Sequence, residues 1–317
     1  MPGRHCRPRR AWSLQRILVV LVATIGVGVL LYPTAAAWSS DRVHAGQLAS
    51  YLDAVAAMPN AELVQAMAAA REYNEMLPAG PLRDPWALSA SGERIAVGEG
   101  TEAYHEALSI SPDGVMARLH IPKIGVDLPV FHGADENTLA GGIGHLYGSG
   151  LPIGGEGTHA VLTGHSGFVQ ATLFNNLHNL QIGDQFTITV LDQVLTYQVD
   201  QKLTVLPDDT TDLVRVPGKD YVTLVTCTPT GVNTHRLLVR GIRVPTPTVA
   251  ASDTTDSNAP AQGPGFPWWA VGMCTTPIGA TALTGPRKHK PAHHPSRPGR
   301  PGRGGVARHT PRPLRAV

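Results

Sequence analysis

The sequence predicts a mainly β fold, a closed barrel or sandwich of about eight short strands, preceded by helices and one membrane-spanning helix. Three observations point there. Between residues 115 and 240, apolar and polar residues alternate with period two in short runs separated by Gly, Pro, Asn and Asp. Residues 40–77 instead place their apolar side chains at helical spacing. Residues 17–37 carry no charge, and about 20 such residues cross a bilayer as a helix.

The chain begins with a basic segment, residues 1–16, holding Arg4, Arg7, Arg9, Arg10 and Arg16. Arginines on the N-terminal side of an apolar span hold that side in the cytoplasm. The competing reading is a cleaved signal peptide, because Ala35-Ala36-Ala37 fits a small-residue cleavage site. The apolar run is longer than a signal-peptide core, which favours an uncleaved anchor over 17–37. Either way the block that follows lies outside the cell. Residues 40–57 read as a helix that Pro59 stops, and Asn60 caps a second helix with Glu62 in its first turn. Leu63, Met67, Ala70, Tyr73 and Leu77 form its apolar face before Pro78, Gly80 and Pro81 end it. Residues 38–110 are therefore a helical N-terminal region, with a loop at 82–88 carrying Asp84, Pro85 and Trp86.

In the β domain, residues 111–244, Val115, Ala117, Leu119 and Ile121 alternate with Met116, Arg118 and His120. Further strands are expected at 126–131, 159–163, 185–190, 194–199, 202–206, 221–226 and 235–240, with Asp192-Gln193 as a tight hairpin. Residues 141–157 are Gly-rich and read as a long surface loop. Lacking Gly-Lys-Ser/Thr, they are not a phosphate cradle. Residues 245–265 form a Pro/Thr/Ser/Ala linker. Residues 266–285 are apolar but broken by Pro277 and several Thr, a weaker candidate for a second membrane span. The tail, 286–317, is Pro/Gly/Arg/His-rich with nine Lys or Arg, and has the composition of a disordered segment.

The net charge of +2 hides a segregation. All 24 acidic residues lie between Asp41 and Asp256, where only 12 Lys or Arg accompany them, so that block is near −12. Because the basic blocks flank apolar stretches, topology explains them better than a nucleic-acid partner does.

Of the three cysteines, Cys6 falls in the basic segment and Cys274 in the late apolar stretch, which leaves Cys227 alone in the exported block. A lone exported Cys is either a reactive thiol or a buried inert side chain. Its neighbourhood favours the first. The strand 221–226 ends at Cys227, a loop with Pro229, Gly231 and Asn233 turns the chain, and a second strand starts near His235. A hairpin of this kind sets Cys227 beside Arg236. A permanent cation next to a thiol favours thiolate and stabilises an oxyanion. A Cys nucleophile also needs a proton-accepting partner. His165, after an apolar strand in Thr163-Gly-His-Ser-Gly167, is the candidate, and His235 is its local rival. Neighbouring strand residues face opposite ways, which sets His235 apart from Arg236. No paired Cys/His spacing indicates zinc, and no cofactor or metal is expected. A papain-like order, Cys before His, does not fit.

The stretch Thr223-Leu-Val-Thr-Cys227-Thr-Pro…Asn233-Thr-His-Arg236-Leu, with Thr163-Gly-His165 upstream, resembles the sortase family. The similarity runs over about residues 40–244 and includes Ile121-Pro-Lys-Ile-Gly-Val and Val130-Phe-His-Gly133. Asp84-Pro85-Trp86 resembles the lid of class C, pilin-polymerising sortases. The resemblance implies a closed eight-stranded barrel, with Cys227 as nucleophile, His165 as general acid/base and Arg236 as the cation that positions substrate and stabilises the oxyanion. It implies Asp84 and Trp86 as lid residues near Arg236 and Cys227. The partners it implies are pilin subunits bearing Leu-Pro-x-Thr-Gly-like sorting signals. A wall-anchoring sortase using a peptidoglycan amine is the alternative, and a noncatalytic adhesive barrel the alternative of another class. Two positions depart from the family pattern: Thr230, where an aromatic is common, and Ser166, where Arg often follows the His.

Overall fold

A computed structural model of the protein describes residues 14–77, 82, 102–247 and 263–284. Its helices are α1 (Leu14–Ala57), α2 (Asn60–Met76), α3 (Glu102–Glu106), α4 (Glu136–Gly141) and α5 (Trp268–Thr284). Its strands are β1 (Val115–Ile121), β2 (Val126–His132), β3 (Ile143–His145), β4 (Thr158–Thr163), β5 (Gln185–Val190), β6 (Gln193–Val205), β7 (Asp220–Thr228) and β8 (His235–Val244). The eight strands close into a barrel in the order β1-β2-β3-β4-β7-β8-β6-β5, which leaves no open sheet edge. The pairs β2–β3 and β4–β7 are parallel, so the barrel is mixed.

Period-two alternation sends one set of side chains inward and the other outward. Val222 and Leu224 of β7, Leu237 and Val239 of β8, and Phe186 and Tyr197 fill the interior. Val225 and Cys227 of β7 and Leu238 of β8 face out, where Leu139, Leu146 and Val161 join them in a second, smaller apolar cluster.

Several elements differ from the sequence reading. The apolar run at 17–37 and the helix at 40–57 are one continuous helix of 44 residues, because nothing between them breaks it. The only proline inside it, Pro33, lies in the apolar half. Asn60 is the first helical residue of α2; Pro59 holds the cap position, and no side chain caps this end. The two strands expected at 194–199 and 202–206 are one strand, β6, which a bulge between Val199 and Gln201 bends while pairing with β8 continues. The β5–β6 turn is Leu191-Asp192 instead of Asp192-Gln193. The Leu191 N–H donates to the buried Tyr51 hydroxyl of α1 (2.8 Å), holding Leu191 at φ 51°.

The stretch 141–157 is not a surface loop. It contains β3, and Ile143, Leu146 and Leu151 are buried. Its glycines serve close packing: a Cβ on Gly144 would collide with the Gly133 carbonyl, and one on Gly142 would sit 2.8 Å from the Phe131 ring. Asn74 of α2 clamps the stretch from outside, accepting from Leu151 N–H (2.7 Å) and donating to its carbonyl (3.3 Å).

The helices dock by specific contacts. His44, Leu48, Tyr51 and Val55 form the buried stripe of α1, at the three- and four-residue spacing that lines one helix face. Tyr51 donates to Met116 O (3.3 Å), and His44 Nε2 bonds Gly141 O (2.9 Å). Tyr104 of α3 accepts from Gly133 N–H (2.9 Å), and its hydroxyl meets His145 Nδ1 (2.9 Å) and His145 O (3.0 Å). α5 lies along α1, with Trp38 and Trp269 in edge contact at 6.1 Å and Trp38 Nε1 donating to Gly265 O (2.8 Å). Its threonines do not break it, because Thr275, Thr276, Thr281 and Thr284 donate back to carbonyls of the preceding turn.

Two buried histidines make the fold acid-sensitive. His145 is 0% exposed with Nε2 on Gly150 O (2.8 Å), and His159 bonds Thr223 Oγ1 (2.7 Å) and Val214 O (3.1 Å). Burial holds the pKa of each down at about 4. In the unfolded chain they titrate near 6.5, so between these values the unfolded state binds more protons. The stability they contribute is full above about pH 6.5 and falls as pH drops toward 4, by up to about 3 kcal/mol for each. Denaturant midpoints measured from pH 7.5 to 4.5 should fall steadily below 6.5; a flat profile would show that both histidines protonate without cost.

Candidate active site

Cys227 is the penultimate residue of β7, and the antiparallel register sets it directly opposite Arg236 of β8. Both side chains are 7% exposed. They lie on the outer face of the barrel at one end, with Val225 and Leu238 behind them. The β7–β8 loop supports the cation from below: Arg236 Nη1 donates to Asn233 O (3.1 Å) and His235 O (3.2 Å). Asn233 takes φ 61°, the left-handed conformation that asparagine tolerates, and so turns its carbonyl toward the guanidinium. His235 is paired one step further on, opposite Thr228, with its Nδ1 bonded to Thr234 Oγ1 (2.9 Å).

His165 reaches the same end by a different route. β4 runs parallel to β7, with Thr163 opposite Val225. Two more residues in that register bring His165 level with Cys227. Three hydrogen bonds carry the two chains past the formal end of the ladder: Gly164 N–H to Val225 O (3.1 Å), Thr226 Oγ1 to Gly164 O (2.7 Å), and Ser166 Oγ to Cys227 O (2.7 Å). The His165 ring stacks on Phe168 at 5.4 Å, and the His165 carbonyl accepts from Phe174 N–H (3.0 Å). Asn175 Oδ1 accepts from Gly167 N–H (2.6 Å) and fixes the loop from its far side. Gly164 is required here, since a Cβ would press on Ile143 at 2.6 Å and on the Phe174 ring at 2.9 Å.

A cavity of about 310 Å³ opens beside Cys227, lined by Ser166, Phe174, Asn175, His178, Thr228 and Thr230 among others. The loop after His165 forms one wall and the loop after Cys227 the other. Ser166 and Thr230, the two departures from the family pattern, face each other across it with hydroxyls 3.4 Å apart. Sequence reasoning did not find the tethering roles of Asn175 and Thr226, because no local pattern marks either residue. Asp84, Pro85 and Trp86 lie outside the described residues. Leu82, just before them, packs against the cluster that holds Cys227. Among the described residues neither Cys227 nor Cys274 is in a disulfide, and no group of three His, Cys, Asp or Glu is arranged to hold a metal.

A closed eight-stranded mixed barrel is the fold of a sortase, and here Cys227, His165 and Arg236 are brought to one end of its outer face. Residues 119–244 match the sortase domain. The chain is 46% identical to the crystal structure of sortase C-1 from Actinomyces oris, with a TM-score of 0.53 over 58% of this chain and 99% of that one. It is 42% identical to the pilus-related sortase C of Group B Streptococcus, with a TM-score of 0.56 over 62% of this chain and 96% of that one. Sortase D of Bacillus subtilis is 33% identical over 129 residues, 40% of this chain and 62% of that protein's length. The chain belongs to the sortase family, and the solved structures it resembles are sortases of class C.

Proposed function

We propose that the protein is a membrane-anchored cysteine transpeptidase that cleaves an LPxTG-like sorting signal between Thr and Gly and joins pilin subunits through a Lys amine. The observation that carries this reading is the side-by-side register of Cys227 and Arg236, with the His165 loop tied across the same end. In the proposed reaction the Cys227 thiolate attacks the Thr carbonyl carbon. Arg236 stabilises the tetrahedral oxyanion. As the C–N bond to Gly breaks, His165 gives its proton to the leaving amine and the thioester remains on Cys227. A Lys amine of a second subunit then attacks the thioester, loses its proton to His165, forms an isopeptide bond and releases the thiolate.

Pilin as substrate is supported by the pilus-related sortase C that this chain resembles at 42% identity. Membrane anchoring is supported by α1, whose Leu18, Val22, Ile25, Val29 and Leu30 are exposed and apolar. In water such a surface is unfavourable; in lipid it is matched. α5 is the proposed second span. Its 17 residues sit at the lower limit for crossing, and it packs on α1 through Trp269 and Trp38.

Incubating the protein with a sorting-signal peptide and mapping the product by mass spectrometry tests the reaction. An acyl adduct ending in Thr is expected on Cys227, and none on the Cys227→Ala variant. Transpeptidation that persists in Cys227→Ala would remove the nucleophile assignment. We also assign Asp84-Pro85-Trp86 as a lid over Cys227, a reading supported by Leu82 packing into the apolar cluster around that residue. Trp86→Ala should then raise the alkylation rate of Cys227 severalfold, as followed by peptide mapping; an equal rate would argue against occlusion.

A further inference from the structure

The two ends of the barrel are not equivalent with respect to α1. β2 and β3 run parallel, β3 is antiparallel to β4, and β4 is parallel to β7. The starts of β2 and β3 therefore share one end with the finishes of β4 and β7, which is the end holding His165 and Cys227. Asp41 and Ala45 of α1 line one small cavity of about 170 Å³ with Val126 at the start of β2, Thr172 and Leu173 from the loop after His165, and Pro264. His44 bonds Gly141, just before β3. The far part of α1 reaches the opposite end: Tyr51 receives the N–H of the β5–β6 turn, and Val55 packs with Val115 at the start of β1. The helix thus passes along the barrel with its membrane-proximal part at the Cys227 end.

Aromatic side chains mark where the bilayer surface falls. Trp38 and Trp269 meet in edge contact, and Phe266 and Trp268 pair at 4.9 Å, all at the level where α1 and α5 leave their apolar stretches. Trp is enriched at the membrane–water interface, where its amphipathic ring sits among headgroups. From Trp38 to Ala45 is seven helical residues, or about 10 Å at 1.5 Å per residue. No flexible linker intervenes, because α1 is unbroken and Pro33 lies below this level.

We propose that α1 is a rigid strut that holds the Cys227 end of the barrel toward the bilayer, within about 10 Å of its headgroups, so that the site meets peptides held close to the membrane surface at a fixed height and direction. This rests on the transpeptidase reading and on α1 spanning the bilayer. Fixed height and direction make a membrane-tethered peptide a better substrate than the same peptide in solution, through effective concentration and through pre-set orientation. They also make the enzyme sensitive to a change in length on either side.

The test uses the full-length protein in lipid vesicles with three substrates: a soluble sorting-signal peptide, the same signal joined directly to a transmembrane helix in the same vesicle, and that signal raised on a helical spacer of two turns. Inserting seven helix-forming residues between Ser40 and Asp41 raises the barrel by about 10 Å and nearly preserves the rotational setting. The insertion variant should cleave the soluble peptide within twofold of the unmodified protein, cleave the directly tethered signal at least tenfold more slowly, and recover on the raised signal. The unmodified protein should show the reverse preference between the two tethered substrates. Equal turnover of both tethered substrates by the unmodified protein would overturn the strut. Failure of the unmodified protein on the soluble peptide would instead overturn the transpeptidase reading.

Discussion

The antiparallel register between β7 and β8 is the constraint on which the rest of the site depends. It sets Cys227 opposite Arg236 and Val225 opposite Leu238, all four on the outer face. A slip of one residue would turn Cys227 toward the interior that Leu224 and Val239 now fill, and would carry Arg236 away from it. Barrel closure protects the register. β8 is paired on its other side with β6 over nearly its whole length, and β7 with β4, so neither strand can shift alone. A buried cation beside a thiol is costly to assemble, and the closed barrel supplies the rigidity that holds the two together.

How much of this is legible in the sequence depends on how local each interaction is. The Cys227–Arg236 pairing is readable because a hairpin needs only a loop and two alternating runs. His165 is legible as a candidate base, because it follows an apolar strand between glycines, but its placement beside Cys227 is not: that depends on the parallel pairing of β4 with β7, about 60 residues away in sequence. β3 leaves almost no trace, since three residues with a glycine, Gly144, at their centre carry no alternation. Their burial comes from the packing of Gly142 and Gly144 against Phe131 and Gly133, contacts a linear pattern does not show. The expected count of eight strands agreed with the barrel, although β3 was missing and β6 was divided in two at its bulge.

The helices illustrate a different limit. Composition marks 17–37 as a membrane span and period 3.6 marks 40–57 as amphipathic, yet neither signal says that the two are continuous. Continuity follows from the absence of a breaker between them and from docking of His44, Leu48, Tyr51 and Val55 on the barrel. The threonines of α5 lower its apolar score in sequence, but the hydroxyls of Thr275, Thr276, Thr281 and Thr284 return to helix carbonyls. The two helices pack on each other, and α1 docks on the barrel.

The claim that Cys227, His165 and Arg236 work as one unit is tested most directly by single-turnover acylation with a sorting-signal peptide. The variants to compare are His165→Ala, Arg236→Ala and the two combined. Loss of a proton donor or an oxyanion partner costs on the order of a hundredfold or more, and groups acting on one transition state are strongly non-additive. Each single variant should therefore lose at least about a hundredfold in rate, with the combined variant no more than a few-fold slower than the worse single. Near-normal acylation in either single variant, or losses that multiply in the combined one, would contradict a shared site.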